Sequence, residues 1–165
     1  MTIRKDDSDM SEVPTTTTAT VRGIATYQTY LMYKSTESGT YQKLLDITSF
    51  PDLIGTPERI DITSLSDAQR VYISGIQDRE DMTFNANYTP EQFAAVNDLR
   101  GQQLYFAVWF GATGDPGSEV PDGSKGKFSW QGDVVAGVTG GGVNEAVGMT
   151  VTCTPSTIIE FDDGN

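Results

Sequence analysis

Residues 80–110 read EDMTFNANYTPEQFAAVNDLRGQQLYFAVWF, and the fold class turns on this stretch. Across residues 80–87 the apolar Met82, Phe84 and Ala86 alternate with Asp81, Thr83 and Asn85. That period of two marks a strand with one buried face. Thr89 offers a side-chain oxygen to cap a helix, Pro90 suits the first helical position, and Glu91 complements the positive end of the helix dipole. The spacing of Phe93, Val96 and Leu99 predicts a helix over 90–99, closed by Arg100-Gly101. Residues 102–110, QQLYFAVWF, form the most apolar stretch of the chain, and their length and aromatic content predict a central strand covered on both faces.

Working outward, residues 26–33 (TYQTYLMY) predict a strand that ends before a turn at Ser38-Gly39. A second strand is expected at 41–48, with Leu45 and Ile47 on the face opposite Leu44 and Asp46. Residues 58–63 (ERIDIT) alternate strictly. Ile60 and Ile62 share one face and Arg59, Asp61 and Thr63 the other, as in a half-buried strand. Further strands are expected at 127–138, 145–154 and 157–161, and a polar loop at 111–125 holds four of the 17 glycines. That loop exceeds the usual connection length, which predicts a mobile or functional segment. Seven or eight strands with one helix predict a mainly β fold, a β-sandwich or partial barrel with one flanking α-helix. Residues 1–20 are polar and read as an N-terminal arm, leaving 21–165 as a single domain.

Composition narrows the chemistry. The 165 residues include no histidine and one cysteine, so neither a Cys/His zinc site nor a Ser-His-Asp or Cys-His nucleophile system can be assembled from one chain. Net charge is −12, which opposes binding to a phosphate backbone. No cofactor is implied, because the glycines at 137 and 140–142 lack the context of a phosphate cradle. Carboxylates are the remaining catalytic candidates. Asp46, Asp61, Glu80, Asp81, Asp133 and Glu145 lie in or beside expected strands and could form the acid pair of a hydrolase. Solvated strand faces account for them more simply. Asp78-Arg79-Glu80-Asp81 lacks the spaced ligands and glycine of a calcium loop and reads as a turn. Trp109, Trp130, Phe106 and Phe128 alternate at strand spacing and read as core, with a sugar-stacking platform on a glycan- or host-surface-binding module as the alternative.

Residues 58–88 carry a resemblance. A strand, ERIDIT, leads through Ser64-Leu65-Ser66 into Ala68-x-Arg70-x-Tyr72-Ile73-x-Gly75, and a second strand ends in Phe84-x-Ala86-Asn87-Tyr88. Phe128-x-Trp130-x-Gly132-x-Val134 and EAVGMTVT at 145–152 follow in order. This order resembles the major tail (tail tube) proteins of long, non-contractile-tailed bacteriophages, over about residues 25–161. The loop at 115–125 and the glycines at 140–142 depart from the family pattern.

The resemblance implies a non-enzymatic structural protein of the virion tail, assembled in the host cytoplasm as hexameric rings that stack into a tube. Its partners would be further copies of itself and the tape measure, tail terminator and distal tail proteins. DNA would pass through the lumen without specific binding. Roughly two dozen strands about 4.8 Å apart and tilted about 40° close at a diameter on the order of 50 Å, wide enough for duplex DNA. Residues 58–98 and 99–165 each hold eight acids against three bases, so the charge fits a lumen that repels phosphate. Asp61 and Glu80 are the lumen candidates on this reading.

Overall fold

A computed structural model describes residues 26–76 and 80–164, so the 1–20 arm and Asp78-Arg79 lie outside the described residues. In chain order the elements are β1 (Thr29–Lys34), β2 (Gln42–Ser49), β3 (Arg59–Asp61), β4 (Tyr72–Ser74), β5 (Met82–Asn87), α1 (Pro90–Asp98) and β6 (Leu104–Phe110). There follow β7 (Ala112–Thr113), β8 (Val120–Pro121), β9 (Lys127–Thr139), β10 (Gly148–Pro155) and β11 (Glu160–Asp162).

Six strands pair antiparallel in the order β10-β5-β2-β1-β6-β9, and β9 pairs again with β10, so the sheet closes into a barrel within one chain. The mainly β fold with one helix stands, and the partial barrel of the sequence reading is a closed one. Closure depends on β9. Its first half pairs with β6 on one side and β11 on the other, and its second half pairs with β10. Where β9 passes from one partner to the next, a Cβ at Gly132 would collide with the Thr154 carbonyl, so only glycine fits there.

Alternation fills the interior. Met82, Phe84 and Ala86 of β5, Met149, Val151 and Cys153 of β10, and Trp130 and Val134 of β9 are all buried. Phe84 and Phe106 stack against Trp130 at centroid distances of 6.0 and 6.4 Å, joining three strands across the core. Thr89 caps α1 by accepting the Gln92 amide at 3.3 Å, as its side chain predicts. The helix touches β2 and β9, which stand opposite each other in the barrel order, so it spans one mouth and inserts Val96 into the core.

β6 is covered on both faces as expected. Leu104, Phe106 and Val108 point inward, and Ala107 is sealed outside by Tyr30 and Met32, with Tyr41 and Trp109 packed over them. Three details depart from simple alternation. Leu44 and Leu45 are both buried, because the β1–β2 register shifts between Leu31 and Met32 and turns one extra residue inward. The long loop at 111–125 is folded back by the short β7–β8 pair and by the Lys125 amide donating to the Phe110 carbonyl at 2.9 Å. Gly111 makes that reversal at φ 102°, a left-handed conformation suited to glycine. The strand expected at 157–161 begins only at Glu160, because Ser156 and Thr157 instead donate their amides to the Gln131 carbonyl.

Phe84→Ala should remove the ring that Trp130 stacks on and cost about 3–5 kcal/mol, as for other buried Phe truncations. Urea denaturation followed by tryptophan fluorescence measures it; a loss under about 1 kcal/mol would mean that the core collapses around the gap.

Candidate assembly surface: an amphipathic hairpin outside the barrel

Between β2 and β5 the chain leaves the barrel and forms the β3–β4 hairpin. Its register pairs Arg59 with Ser74, Ile60 with Ile73 and Asp61 with Tyr72, and the Ile62 amide continues the ladder to the Val71 carbonyl at 3.0 Å. This register sorts the side chains. Ile60, Ile62, Val71 and Ile73 share one face, while Arg59, Asp61, Tyr72 and Ser74 share the other. The alternation read from the sequence is therefore real, and the half-buried state inferred from it is not. Ile60, Ile62 and Ile73 are each about half exposed, because the described residues of the chain supply nothing that covers this face. Leu65 at the tip and Ile76 at the base are more exposed still.

The polar face and the tip hold the hairpin's shape. Asp61 accepts the Thr63 amide at 2.9 Å and the Thr63 hydroxyl, with Arg70 at 3.7 Å. The Thr63 hydroxyl oxygen in turn accepts the Val71 amide at 2.9 Å, tying the two arms together. Asp67 closes the tip by accepting the Ser64 amide at 2.7 Å. The Thr63 side-chain and backbone donors hold the Asp61 carboxyl below its ordinary value, and the Ser64 donors do the same for Asp67. At Gly75 a Cβ would press on the Glu58 carbonyl and on Ile60, so the base of the hairpin closes tightly.

Glu80 lies at the point where the chain re-enters the barrel. With Asp52 and Asp81 it edges a groove of about 600 Å³ floored by Leu53, Met82 and Ile159. The structure thus places Asp61 on the hairpin and Glu80 in the groove at its foot, and it brings neither onto an outward face of the barrel strands. Sequence reading placed Ile60 and Ile62 on one face but missed that Val71 and Ile73 complete it and that it stays exposed. The signal was the Val71-Tyr72-Ile73 run, whose alternation matches that of Ile60 and Ile62.

The other carboxylates of the hydrolase alternative serve local structure. Asp46 pairs with Lys43 at 2.7 Å, Asp81 accepts the Thr154 hydroxyl at 2.8 Å, Asp133 accepts the Gly101 amide at 2.9 Å and Glu145 accepts the Gly142 amide at 2.8 Å. Among the described residues no three metal-ligating side chains come together. Trp130 is buried to 2% exposure, and Trp109 is covered by Lys127 at 5.1 Å and the edge of Tyr41 at 5.5 Å, so neither ring forms an open stacking platform.

No family model and no curated protein sequence matches this chain. Solved structures do. The barrel is similar to a chain of the sheath/tube terminator of an extracellular contractile injection system, PVC (TM-score 0.61, 12% identity, covering 87% of this chain and 99% of that one). It is also similar to a chain of the PVC sheath-tube complex (TM-score 0.60, 13% identity, 86% and 92%). A chain in the tail of an empty GTA particle, refined with C6 helical symmetry, matches at TM-score 0.59 and 14% identity, covering 85% of this chain and 99% of that one. The fold is a tail tube-like β fold. Contractile particles are among these neighbours, so the tail tube fold does not by itself single out non-contractile tails.

Because the Asp61 carboxyl is held low in the folded hairpin, its contribution is present at neutral pH and is lost as pH falls through that lowered value. Asp61→Ala should therefore speed hydrogen exchange at the Thr63 and Val71 amides at pH 7 while leaving the barrel's melting temperature unchanged. Unchanged exchange at both amides would show that the ladder alone holds the hairpin.

Proposed function

We propose that this chain is a structural subunit of a phage-type tail: a tail tube protein whose copies form hexameric rings that stack into a conduit for DNA. The observation that carries the proposal is the amphipathic hairpin on a tail tube fold. A closed barrel offers no long sheet edge for association, and a two-stranded hairpin standing free in water is marginally stable. Four β-branched residues aligned on its uncovered face give it a reason to be covered, and a neighbouring copy is the partner that a ring-forming fold provides. The burial stabilises both the hairpin and the contact, at about 25 cal/mol per Å² of apolar surface.

On this reading residues 1–20 are an arm that reaches an adjacent ring, and residues 21–165 form the tube domain. The order of motifs favours the tube of a long, non-contractile tail, ending on tail terminator and distal tail proteins and filled before ejection by a tape measure protein. The role is non-catalytic and belongs to the virion. The net charge of −12 supports the conduit, since a surface of the cargo's own sign does not retain it.

Purified protein, concentrated in virion-like salt and viewed by negative-stain electron microscopy, should form rings or tubes. The double variant Ile60→Ser, Ile73→Ser should keep its melting temperature within the range of surface substitutions, about 0.5 kcal/mol, and lose the assemblies. A wild-type protein that stays monomeric throughout would refute the proposal. Deleting residues 1–20 should leave the circular dichroism spectrum intact and shorten the stacks; loss of folding would place those residues in the domain.

A further inference from the structure

The two sides of the barrel differ in their cations. In the strand order, β10 stands opposite β1 and β5 opposite β6, so the outward faces of these two strand pairs point in opposite directions. The β1–β6 side carries cations laid over aromatic rings. Lys34 sits 4.7 Å from the centroid of Tyr41 and 5.2 Å from that of Tyr105. Lys43 lies 5.1 Å from Tyr30 and pairs with Asp46 at 2.7 Å, and Lys127 lies 5.1 Å from Trp109 with Asp162 at 4.0 Å. Among the described residues, β5, β10 and the second half of β9 hold no lysine or arginine. Its outward residues meet in register: Thr152 stands between Thr83 and Val135, and Thr150 between Asn85 and Gly137. The Thr83 and Thr152 hydroxyls approach at 3.3 Å, and the Asn85 amide donates to the Ser49 hydroxyl at 2.7 Å. Two carboxylates border this face. Asp81 is bonded to Thr154 at one end, with Asp133 opposite Thr154 in the register.

We infer that the outward face of β5, β10 and the second half of β9 lines the lumen, and that the lysine–aromatic face of β1 and β6 turns to the outside of the tube. The inference rests on the tube proposed above and names the surface past which its cargo moves. A duplex in transit presents a continuous row of phosphates. Each lysine or arginine that meets one displaces a counterion and adds a point of retention, repeated for every subunit along the tube. A wall of hydroxyls and amides stays hydrated without attracting phosphate, and its bordering carboxylates repel it. Turned the other way, the barrel would set Lys34, Lys43 and Lys127 against the DNA in every ring. Asp61 and Glu80, on the hairpin and at its foot, then lie off this wall.

The native thiol makes the test clean. Cys153 is fully buried in the core, and that burial raises its pKa above the ordinary thiol value, so an introduced cysteine is the reactive one. Thr83→Cys and Asn87→Cys on the inferred lumen face, and Lys43→Cys on the opposite face, are assembled into tubes, treated with biotin-maleimide and then with streptavidin, which is too large to enter a lumen of this size. Both lumen variants should take up biotin in the assembled tube yet stay bare of streptavidin along its length, while Lys43→Cys tubes are decorated throughout. Streptavidin along the Thr83→Cys or Asn87→Cys tubes, refusal of the small reagent by both in tubes but not in subunits, or a bare Lys43→Cys tube would each overturn the assignment. If one lumen variant fails to assemble, the other decides. Failure of the wild-type protein to form tubes is a different result, and removes the underlying proposal before any cysteine is introduced.

Discussion

The pairing of β9 with three strands is the constraint on which the rest of the structure depends. By bonding to β6, β11 and β10 along its 13 residues, it turns an open sheet into a ring and fixes which strands stand opposite one another. Gly132 sits at the transfer point because the Thr154 carbonyl leaves no room for a side chain. Once the ring is closed, period-two alternation sorts the residues of the barrel strands between core and outside, except where the bulge at Leu44 interrupts it. The interior is then filled by Phe84, Phe106, Trp130 and their aliphatic neighbours. The helix follows from the same closure, since it can bury Val96 only by lying across a mouth whose two sides are β2 and β9.

Closure also decides how such a subunit can associate. Each of the six barrel strands has a partner on both sides, so sheet-edge pairing between copies is left to strands outside this ring. The β3–β4 hairpin is the largest of these among the described residues, and its apolar face is held in order by polar contacts on its back and tip rather than by the barrel. The uneven placement of cations around the barrel adds an orientation. A subunit with cations on one side and hydroxyls and amides on the other has a physical reason to sit one way around a column of phosphate.

Much of this was legible in the sequence because local pattern and long-range burial agree there. The strand at 82–87, the capped helix after Thr89 and the doubly covered strand at 104–110 all sit where alternation, capping chemistry and apolar content place them. Leu44 was less legible, because a bulge is a property of two strands in register and neither strand carries it alone. The loop at 111–125 looked long and open, yet its polar sequence is folded back by a few backbone hydrogen bonds that composition does not reveal. The candidate site was legible by half. Ile60 and Ile62 announced an apolar face, but their alternation alone does not tell whether distant strands cover it.

The sequence by itself determined which side chains travel together: apolar residues two apart share a face, a threonine before a proline starts a helix, and −12 with no histidine excludes whole classes of chemistry. Only the tertiary structure decided what each face meets. Met82, Phe84 and Ala86 found a core, whereas Ile60 and Ile62, with the same alternation, found solvent. The physical reason is that the pleat fixes the direction of a side chain from its immediate neighbours, while burial depends on strands far away in the chain closing over it. For the hairpin, those strands are not among the described residues of this one.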